Sequence, residues 1–256
     1  MAASSKSEQG CYVYGIFPGD VELTSQITGV GDPPGKVTVI RQDGLAAMIS
    51  PVDLSRPLGT PEDLATHKDI LDASAAAVPV LPLRFGAVLT DEDAVISELL
   101  EANHDQFADA LSQIDGHAQF VVKGRYVEKA ILEEVIGEDD RAAQLREQIR
   151  GADPDATRDA RIELGELIND AVTVKREADT RELGRRVDGR CAASVVRDPT
   201  HELDAAHVAF LVRIDQESDF RRAIDELGAD WKGRVEFRVL GPMAAYDFVI
   251  TAEPEA

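Results

Sequence analysis

The order in which strand-type and helix-type hydrophobic patterns follow one another is the strongest constraint on the fold of this chain. In the second half, a predicted strand at 117–123 precedes a long helical region, and two strands, a short helix and a last strand follow. In the last strand Val235, Phe237 and Val239 alternate with charged residues, as expected for a strand with one face in water. The order β-α-β-β-α-β is that of a split βαβ, or ferredoxin-like, unit.

The first half gives the same order if a glycine- and proline-rich loop at 18–36 replaces the first helix. Residues 12–17 are apolar on both faces, which indicates a strand covered on two sides. The pair Asp43-Gly44 predicts a tight hairpin turn between the next two strands, because both residues tolerate positive φ angles. Thr60 has the residue type of a helix N-cap, with an acidic residue three positions later, as in a capping box.

Three further segments complete the predicted elements, two in the first half and one in the second. An apolar run at 80–86 predicts a strand, and Thr90 is the expected cap of a second helix. In the second half, Asp153 and Pro154 predict the start of the last long helix. The apolar residues expected to face the core are Leu64, Leu71, Ala75 and Val78 in the first helix and Ile96, Leu99, Leu100, Phe107, Leu111 and Ile114 in the second.

We therefore predict an α+β protein with two ferredoxin-like (split βαβ) domains. Residues 1–10 are expected to form a disordered tail without a signal peptide, because they contain no apolar stretch. The N-terminal domain is placed at 11–114 and the C-terminal domain at 115–251. Within the second domain, the helical segment 126–187 is an insertion.

The charge of the chain restricts the partners it can bind. There are 48 acidic and 27 basic side chains, giving a formal net charge of −21. Such a surface repels phosphate backbones and anionic lipid headgroups, so nucleic acids and membranes are not expected partners. The acidic surface either keeps the protein soluble or faces a basic partner. Two widely separated cysteines, Cys11 and Cys191, and the lack of an apolar run of roughly 18 residues indicate a cytoplasmic protein.

Motifs that would indicate catalysis or a cofactor are incomplete. His201 and Glu202 begin a zinc-protease pattern, but the second histidine of that pattern is missing and His207 comes too late. The glycines at 29–35 lack the dinucleotide spacing and alternate with proline, so a plain loop is expected. Acidic clusters at 91–93 and 138–140 lie where helices begin, and compensation of the helix dipole explains them. We predict no enzyme activity, no cofactor and no metal.

Two single residues have both a structural and a functional interpretation. His67 lies in line with the apolar stripe of the first helix, where a satisfied, half-buried histidine is favoured over a general base. Arg84 lies within an apolar strand, so its charge must be paired with a carboxylate or reach the open end of the strand. In the second case it would make a polar contact in a binding cleft.

Several segments together resemble one known family. They are 12–16, the run 80–86 preceded by His67, the strand at 116–123 and the closing stretch 240–249. Over about residues 11–250 the chain is identified as a member of the gas vesicle protein L/F family (GvpL/GvpF). The sequence departs from the family pattern at Met243, where tryptophan is common, and at the two alanines that follow, where proline is common.

The resemblance implies a non-enzymatic accessory protein of gas vesicle assembly that binds or chaperones the small hydrophobic shell subunit. It also implies two α/β domains, possible contacts with other accessory proteins and an association with gas vesicles. The residues assigned to the partner-binding surface are Arg84, Phe85, Gly86, Tyr246 and Phe248.

Two other functions are consistent with the residues. Paired ferredoxin-like units could carry an enzyme or bind haem, with His67, His104 or His117 as the ligand. A small-molecule sensor would show a ligand-dependent rise in melting temperature.

Overall fold

The structure is a computed structural model that describes residues 9–23 and 25–248. The contacts divide the chain into two compact units. Of the residues described, the first unit contains those up to Gln119 together with 241–248, and the second contains Phe120–Leu240. The contacts thus group residues 241–248 with the first unit, whereas the sequence prediction included them in the C-terminal domain.

The first unit contains an antiparallel sheet in the order β2-β3-β1-β4, with β5 also paired to β1. Its strands are β1 (Gln9–Pro18), β2 (Thr38–Gln42), β3 (Leu45–Asp53), β4 (Leu81–Pro82) and β5 (Val88–Leu89). Its helices are α1 (Pro61–Ala75), α2 (Glu92–Ala94), which continues as a π-helix over Val95–Glu101, and α3 (His104–Ile114). Of the predicted disordered tail, residues 1–8 lie outside the described part, and Gln9 and Gly10 open β1.

The predicted hairpin is confirmed. Gln42 pairs with Leu45, so the turn contains only Asp43 and Gly44, whose φ angles are 45° and 84°. These positive angles match the twist of the flanking strands.

The predicted start of α1 is also confirmed. The Asp63 amide donates to Thr60 Oγ1 at 3.1 Å, and the Asp63 carboxylate accepts from the Thr60 amide, which completes a capping box. The predicted buried face was wrong at Leu64, which is 48% exposed. Asp63 and His67 lie on the buried face instead, ahead of Leu71, so two polar residues occupy positions on the core stripe.

The predicted strand at 80–86 forms only at Leu81 and Pro82. The chain leaves the sheet after these residues and returns to β1 at Val88. Two properties of the sequence explain the interruption. Pro82 cannot donate to the sheet, and Gly86 adopts a positive φ of 91°.

Two predicted helix starts were displaced by a few residues. Asp91, not Thr90, caps the second helix, since its side chain accepts from the Ala94 amide. The helix predicted to begin at Pro154 begins at Arg158, because Asp153 Oδ1 accepts from the Asp155 amide and stabilises a turn there.

The second unit contains a four-stranded sheet in the order β7-β8-β6-β9. Its strands are β6 (His117–Tyr126), β7 (Ala193–Val196), β8 (Asp204–Arg213) and β9 (Val235–Met243). Its helices are α4 (Glu128–Glu138), α5 (Asp140–Ile149), α6 (Arg158–Arg186) and α7 (Glu217–Asp230), with a 3₁₀ turn before α7. Among residues 9–23 and 25–248, no helix is long and apolar enough to cross a membrane.

Candidate partner-binding surface

Three of the predicted site residues, Arg84, Phe85 and Gly86, form the tip of a β-turn between β4 and β5. The Arg84 carbonyl accepts from the Ala87 amide at 3.2 Å. Gly86 occupies the third position of the turn, where a positive φ favours glycine. Arg84 and Gly86 are exposed and Phe85 is half-buried. The turn therefore presents a cationic and an aromatic side chain next to each other.

A chain of hydrogen bonds attaches this turn to β1 and α1. The Gly86 amide donates to Tyr12 Oη at 3.2 Å, and Tyr12 Oη lies 2.9 Å from His67 Nδ1. The His67 ring also makes a hydrogen bond to the backbone of Leu83. All these groups are satisfied if the Tyr12 hydroxyl donates to Nδ1 and the histidine proton is on Nε2, facing the Leu83 carbonyl.

Aromatic contacts add to the same attachment. The ring centroid of Phe85 lies 5.9 Å from that of Tyr12 and 5.6 Å from that of His67, both with edge-on geometry. Such geometry is favourable for aromatic pairs. Phe85 is thus held in one orientation by two buried rings.

Burial keeps the groups beneath the turn uncharged. It raises the pKa of Tyr12 to about 12 and lowers the pKa of His67 below its ordinary value. Both are neutral at pH 7. Because His67 is 5% exposed and both its ring nitrogens have partners, it serves as a buried structural residue and offers no free nitrogen to a haem iron.

The remaining predicted site residues, Tyr246 and Phe248, lie on the segment that follows β9. Ala244 is fully buried in the core of the first unit, and its amide donates to Asp72 Oδ1 at 3.1 Å. Tyr246 also makes a hydrogen bond to Asp72, and burial together with this carboxylate raises the pKa of Tyr246. Tyr246 is 37% exposed and Phe248 is half-buried. Val249, the last residue of the resemblance, lies outside the described residues.

The two predicted segments both contact α1. Phe85 contacts His67, and Tyr246 contacts Asp72, five positions further along the same helix. Asp72 is itself fixed, since Lys68 Nζ donates to its other oxygen at 2.6 Å. Sequence reasoning chose both segments but did not predict that α1 connects them. Asp72 was missed because an acidic residue on a helix surface gives no sequence signal of its own.

The region around His201 is a turn between β7 and β8. The Asp204 carboxylate accepts from the backbone amides of Thr200 and His201 at 2.7 and 2.9 Å. These bonds, with one from Arg125, lower the pKa of Asp204 despite its burial. His207 lies on β8, where its Nδ1 is 2.9 Å from the Asp198 carbonyl oxygen. His201 and Glu202 therefore do not lie on a metal-binding helix.

The glycine-rich loop packs against the sheet of the first unit. A Cβ atom on Gly29 would lie 2.4 Å from Tyr14 Oη, and one on Gly35 would lie 2.2 Å from the Pro51 carbonyl oxygen. The Gly31 amide donates to Asp63 Oδ1 at 2.9 Å and is the main reason why the pKa of Asp63 is lowered. Close packing explains these glycines.

The other histidines proposed as haem ligands have local partners. His104 Nε2 lies 2.9 Å from the Asp43 carbonyl oxygen, and His117 Nδ1 lies 2.7 Å from that of Asp115. Within the described part of the chain, no group of three or more His, Cys, Asp or Glu residues could hold a metal ion.

A partly buried charge network in the second unit was not predicted from the sequence. Arg234 at the start of β9 bonds to Glu134 of α4 at 2.7 Å and to Asp179 of α6 at 2.9 Å. Asp179 also accepts from the Tyr126 hydroxyl at 2.6 Å, and Lys175 bonds to Glu134 at the same distance. Bonded residues of the network are up to 100 positions apart, so no local pattern reveals them.

Although burial alone favours the neutral forms, the hydrogen bonds of the network keep Arg234 and Glu134 charged. The hydrogen bonds to Glu134 and Asp179 raise the pKa of Arg234 above its ordinary value. In the same way, bonds from Arg234 and Lys175 lower the pKa of Glu134. The network ties α4 and α6 to the sheet.

Comparisons with known proteins cover nearly the whole chain. The model of the family described as "Gas vesicle synthesis protein GvpL/GvpF" matches residues 10–250. Gas vesicle protein F of Streptomyces sp. (strain CB03234) is 33% identical over 241 residues, covering 93% of this chain and 98% of the relative. Gas vesicle protein L of the same strain is 28% identical over 265 residues, covering 95% and 94%.

A solved structure has the same fold. The crystal structure of the gas vesicle protein GvpF from Anabaena sp. PCC7120 matches with a TM-score of 0.80 and 23% identity, covering 96% of this chain and all of that one. It supports the mixed α/β architecture with two antiparallel sheets.

Proposed function

This chain belongs to the GvpL/GvpF family of gas vesicle synthesis proteins, and we propose that it acts without catalysis by binding and shielding the hydrophobic shell subunit during assembly. The family places it in gas vesicle formation. The step assigned here is capture of the subunit before it joins the shell. An apolar subunit needs its surface covered until it meets its neighbours. The acidic surface, with a net charge of −21, keeps the captured complex in solution.

The observation that carries this proposal is the fixed turn of Arg84, Phe85 and Gly86. Arginine and aromatic side chains dominate the energetic centres of protein interfaces. Because Tyr12 and His67 already hold the turn in place, little conformational entropy is lost when a partner binds it. The proposed contact surface adds Tyr246 and Phe248, which α1 holds through Asp72.

We extend the proposal to the fold of each unit. The strand orders β2-β3-β1-β4 and β7-β8-β6-β9 are the same when counted from the first strand of each unit. We propose that both units are split βαβ domains, the first with a loop in place of one helix and the second with a helical insertion. The protein would act in the cytoplasm at the growing gas vesicle, beside other accessory proteins.

The test is co-expression of the full chain with the shell subunit from the same genome, followed by affinity capture. We expect the double variant Arg84→Ala/Phe85→Ala and the variant Tyr246→Ala each to lower the captured subunit at least fivefold. The matched control in the second unit is Arg150→Ala/Val196→Ala, which removes an exposed arginine and an apolar side chain that is 66% exposed. Circular dichroism of each variant verifies folding.

The proposed function is wrong if the unchanged chain captures no subunit at any salt concentration. If capture occurs but the control lowers it as much as the two variants do, the assigned surface is wrong and the shell-binding role stands.

A further inference from the structure

A groove runs beside α1 in the first unit. It consists of two cavities of about 650 and 460 Å³ that share Thr28 and Thr66 in their linings. One wall is α1 and the other is the loop that connects β1 to β2, and at the smaller cavity the connection between β3 and α1 completes the lining. The 15 residues of α1 extend about 22 Å at 1.5 Å per residue. The groove is therefore long enough for a helix of about four turns.

The larger cavity has an apolar floor. Met48 and Ile70, which are 2% and 7% exposed, form its deep part. Ala73 lies on the exposed side of α1, and Ala77 is exposed in the turn just after the helix ends at Ala75. Small side chains at these positions let another helix approach closely.

The linings are strongly acidic. Asp20, Glu22 and Asp69 line the larger cavity, which has no basic residue in its lining. Asp32, Asp53 and Glu62 line the smaller one, where the single arginine, Arg56, bonds to Asp32. The field in the groove is therefore negative and favours a basic occupant over an acidic one.

We infer that this groove binds an amphipathic helix of a partner protein, with an apolar face on Ile70, Ala73 and Ala77 and with lysine or arginine beside that face. The apolar floor supplies the area removed from water, and the carboxylates at the rim select the charge. This surface is separate from the Arg84 turn, and its occupant is defined by chemistry whether or not the shell subunit binds there.

The second unit shows why the groove is open in the first. There, the connection between the first and second strands of the sheet consists of α4, α5 and α6, and Val172 of α6 packs into a buried cluster with Tyr126 and Val235. The corresponding connection in the first unit is a loop, and its described residues, 19–23 and 25–37, form no helix. The exposed side of α1 thus remains available to a helix from another chain.

The test uses two labelled 18-residue peptides that place leucine on one helical face. One has lysine and the other has glutamate at all remaining positions. Fluorescence anisotropy with the full chain at moderate salt is expected to show binding of the Leu/Lys peptide and at least tenfold weaker binding of the Leu/Glu peptide. Hydrogen exchange should show protection of 66–77 by the bound peptide.

Two pairs of variants locate the binding site. We expect Asp69→Lys to weaken binding of the Leu/Lys peptide at least fivefold, while Asp109→Lys, on α3, changes the net charge equally and leaves affinity within twofold. Likewise, Ala73→Arg fills the groove and should weaken binding at least tenfold. Ala65→Arg, at an exposed position of α1 that lines neither cavity, should leave it unchanged.

Three results overturn the inference. Equal losses for Asp69→Lys and Asp109→Lys mean diffuse attraction to the whole acidic protein. Equal affinity for both peptides means non-selective apolar capture. Absence of binding by the unchanged chain means that the groove takes no helix of this kind.

Discussion

The first and second units have the same strand order but stabilise it with opposite chemistry. Beneath the turn of the first unit, the polar contacts are neutral and lie between Tyr12, His67 and backbone groups. In the second unit the corresponding contacts are ionic and join Arg234, Glu134 and Asp179. The connections between the first two strands of each sheet differ as well. In the first unit this connection is a loop, and in the second unit it consists of three helices.

The difference indicates a division of labour. A buried ionic network is costly to break, because each charge needs its partner when water is excluded. We therefore interpret the second unit as a rigid scaffold. The first unit has an exposed turn held by neutral contacts and an open groove beside α1, and both proposed binding surfaces lie on it.

The largest effect is expected when the ionic network of the second unit is broken. Asp179→Ala removes a carboxylate that is 8% exposed, and the Tyr126 hydroxyl and one contact of Arg234 lose their partner. We expect the second unit to lose about 3 kcal/mol of unfolding free energy. Urea denaturation followed by the fluorescence of Trp231, the only tryptophan, measures it, since that ring stacks on Phe237 in the same unit.

Glu147→Ala provides the matched control, because its pair with Arg150 is exposed and worth little. A loss below 1 kcal/mol for Asp179→Ala would show that the network does not stabilise the second unit.

A smaller effect is expected when the neutral hydrogen bonds beneath the turn of the first unit are broken. Tyr12→Phe keeps the ring but leaves His67 Nδ1 and the Gly86 amide without a hydrogen-bond partner. We expect a local loss of about 1.5 kcal/mol, since a buried polar group without a partner costs about 1–3 kcal/mol. Hydrogen exchange of the peptide covering 81–89 should become faster, while peptides from α6 stay unchanged. Tyr126→Phe should show the reverse pattern, and equal changes in both regions for either variant would contradict independent networks.

The smallest effect separates the two networks by pH. The pKa of His67 is lowered in the folded chain below its ordinary value of 6.5, so the unfolded chain binds the proton more readily. The contribution of His67 to the free energy of unfolding is fully present above pH 6.5. It decreases as the pH falls below that value, by at most about 1.4 kcal/mol per pH unit. For Glu134, whose pKa is lowered from 4.5, the loss begins only below about pH 4.5.

Between pH 7 and 5 we therefore expect the first unit to lose stability through His67 while the ionic network of the second is unaffected. Hydrogen exchange at both pH values, corrected for the intrinsic rates, compares the chain with His67→Gln. The difference between the two proteins cancels the opposite contribution of His104, whose pKa is raised by Asp105. An unchanged pH dependence in His67→Gln would show that His67 does not titrate in this range.

Local rules were sufficient wherever the deciding contacts lie within a few residues. The hairpin at Asp43-Gly44 and the capping box at Thr60 depend on φ preferences and on bonds three residues apart, which the sequence displays directly. The element order and the family resemblance could be read in the same way. The start of the second helix was misplaced because Thr90 and Asp91 are both suitable caps, and the start of α6 because Asp153 stabilises a turn instead.

Only the tertiary structure decided what those elements contact. The placement of His67 against Tyr12 and Phe85, the attachment of Ala244 to Asp72 and the pairing of Arg234 with Asp179 join residues 18 to 172 positions apart. The loop at 18–36 was predicted from the sequence, but the groove that it forms with α1 depends on how the two pack in the folded chain. Such contacts depend on which surfaces meet in the folded chain, and a single sequence specifies them only through packing of the whole.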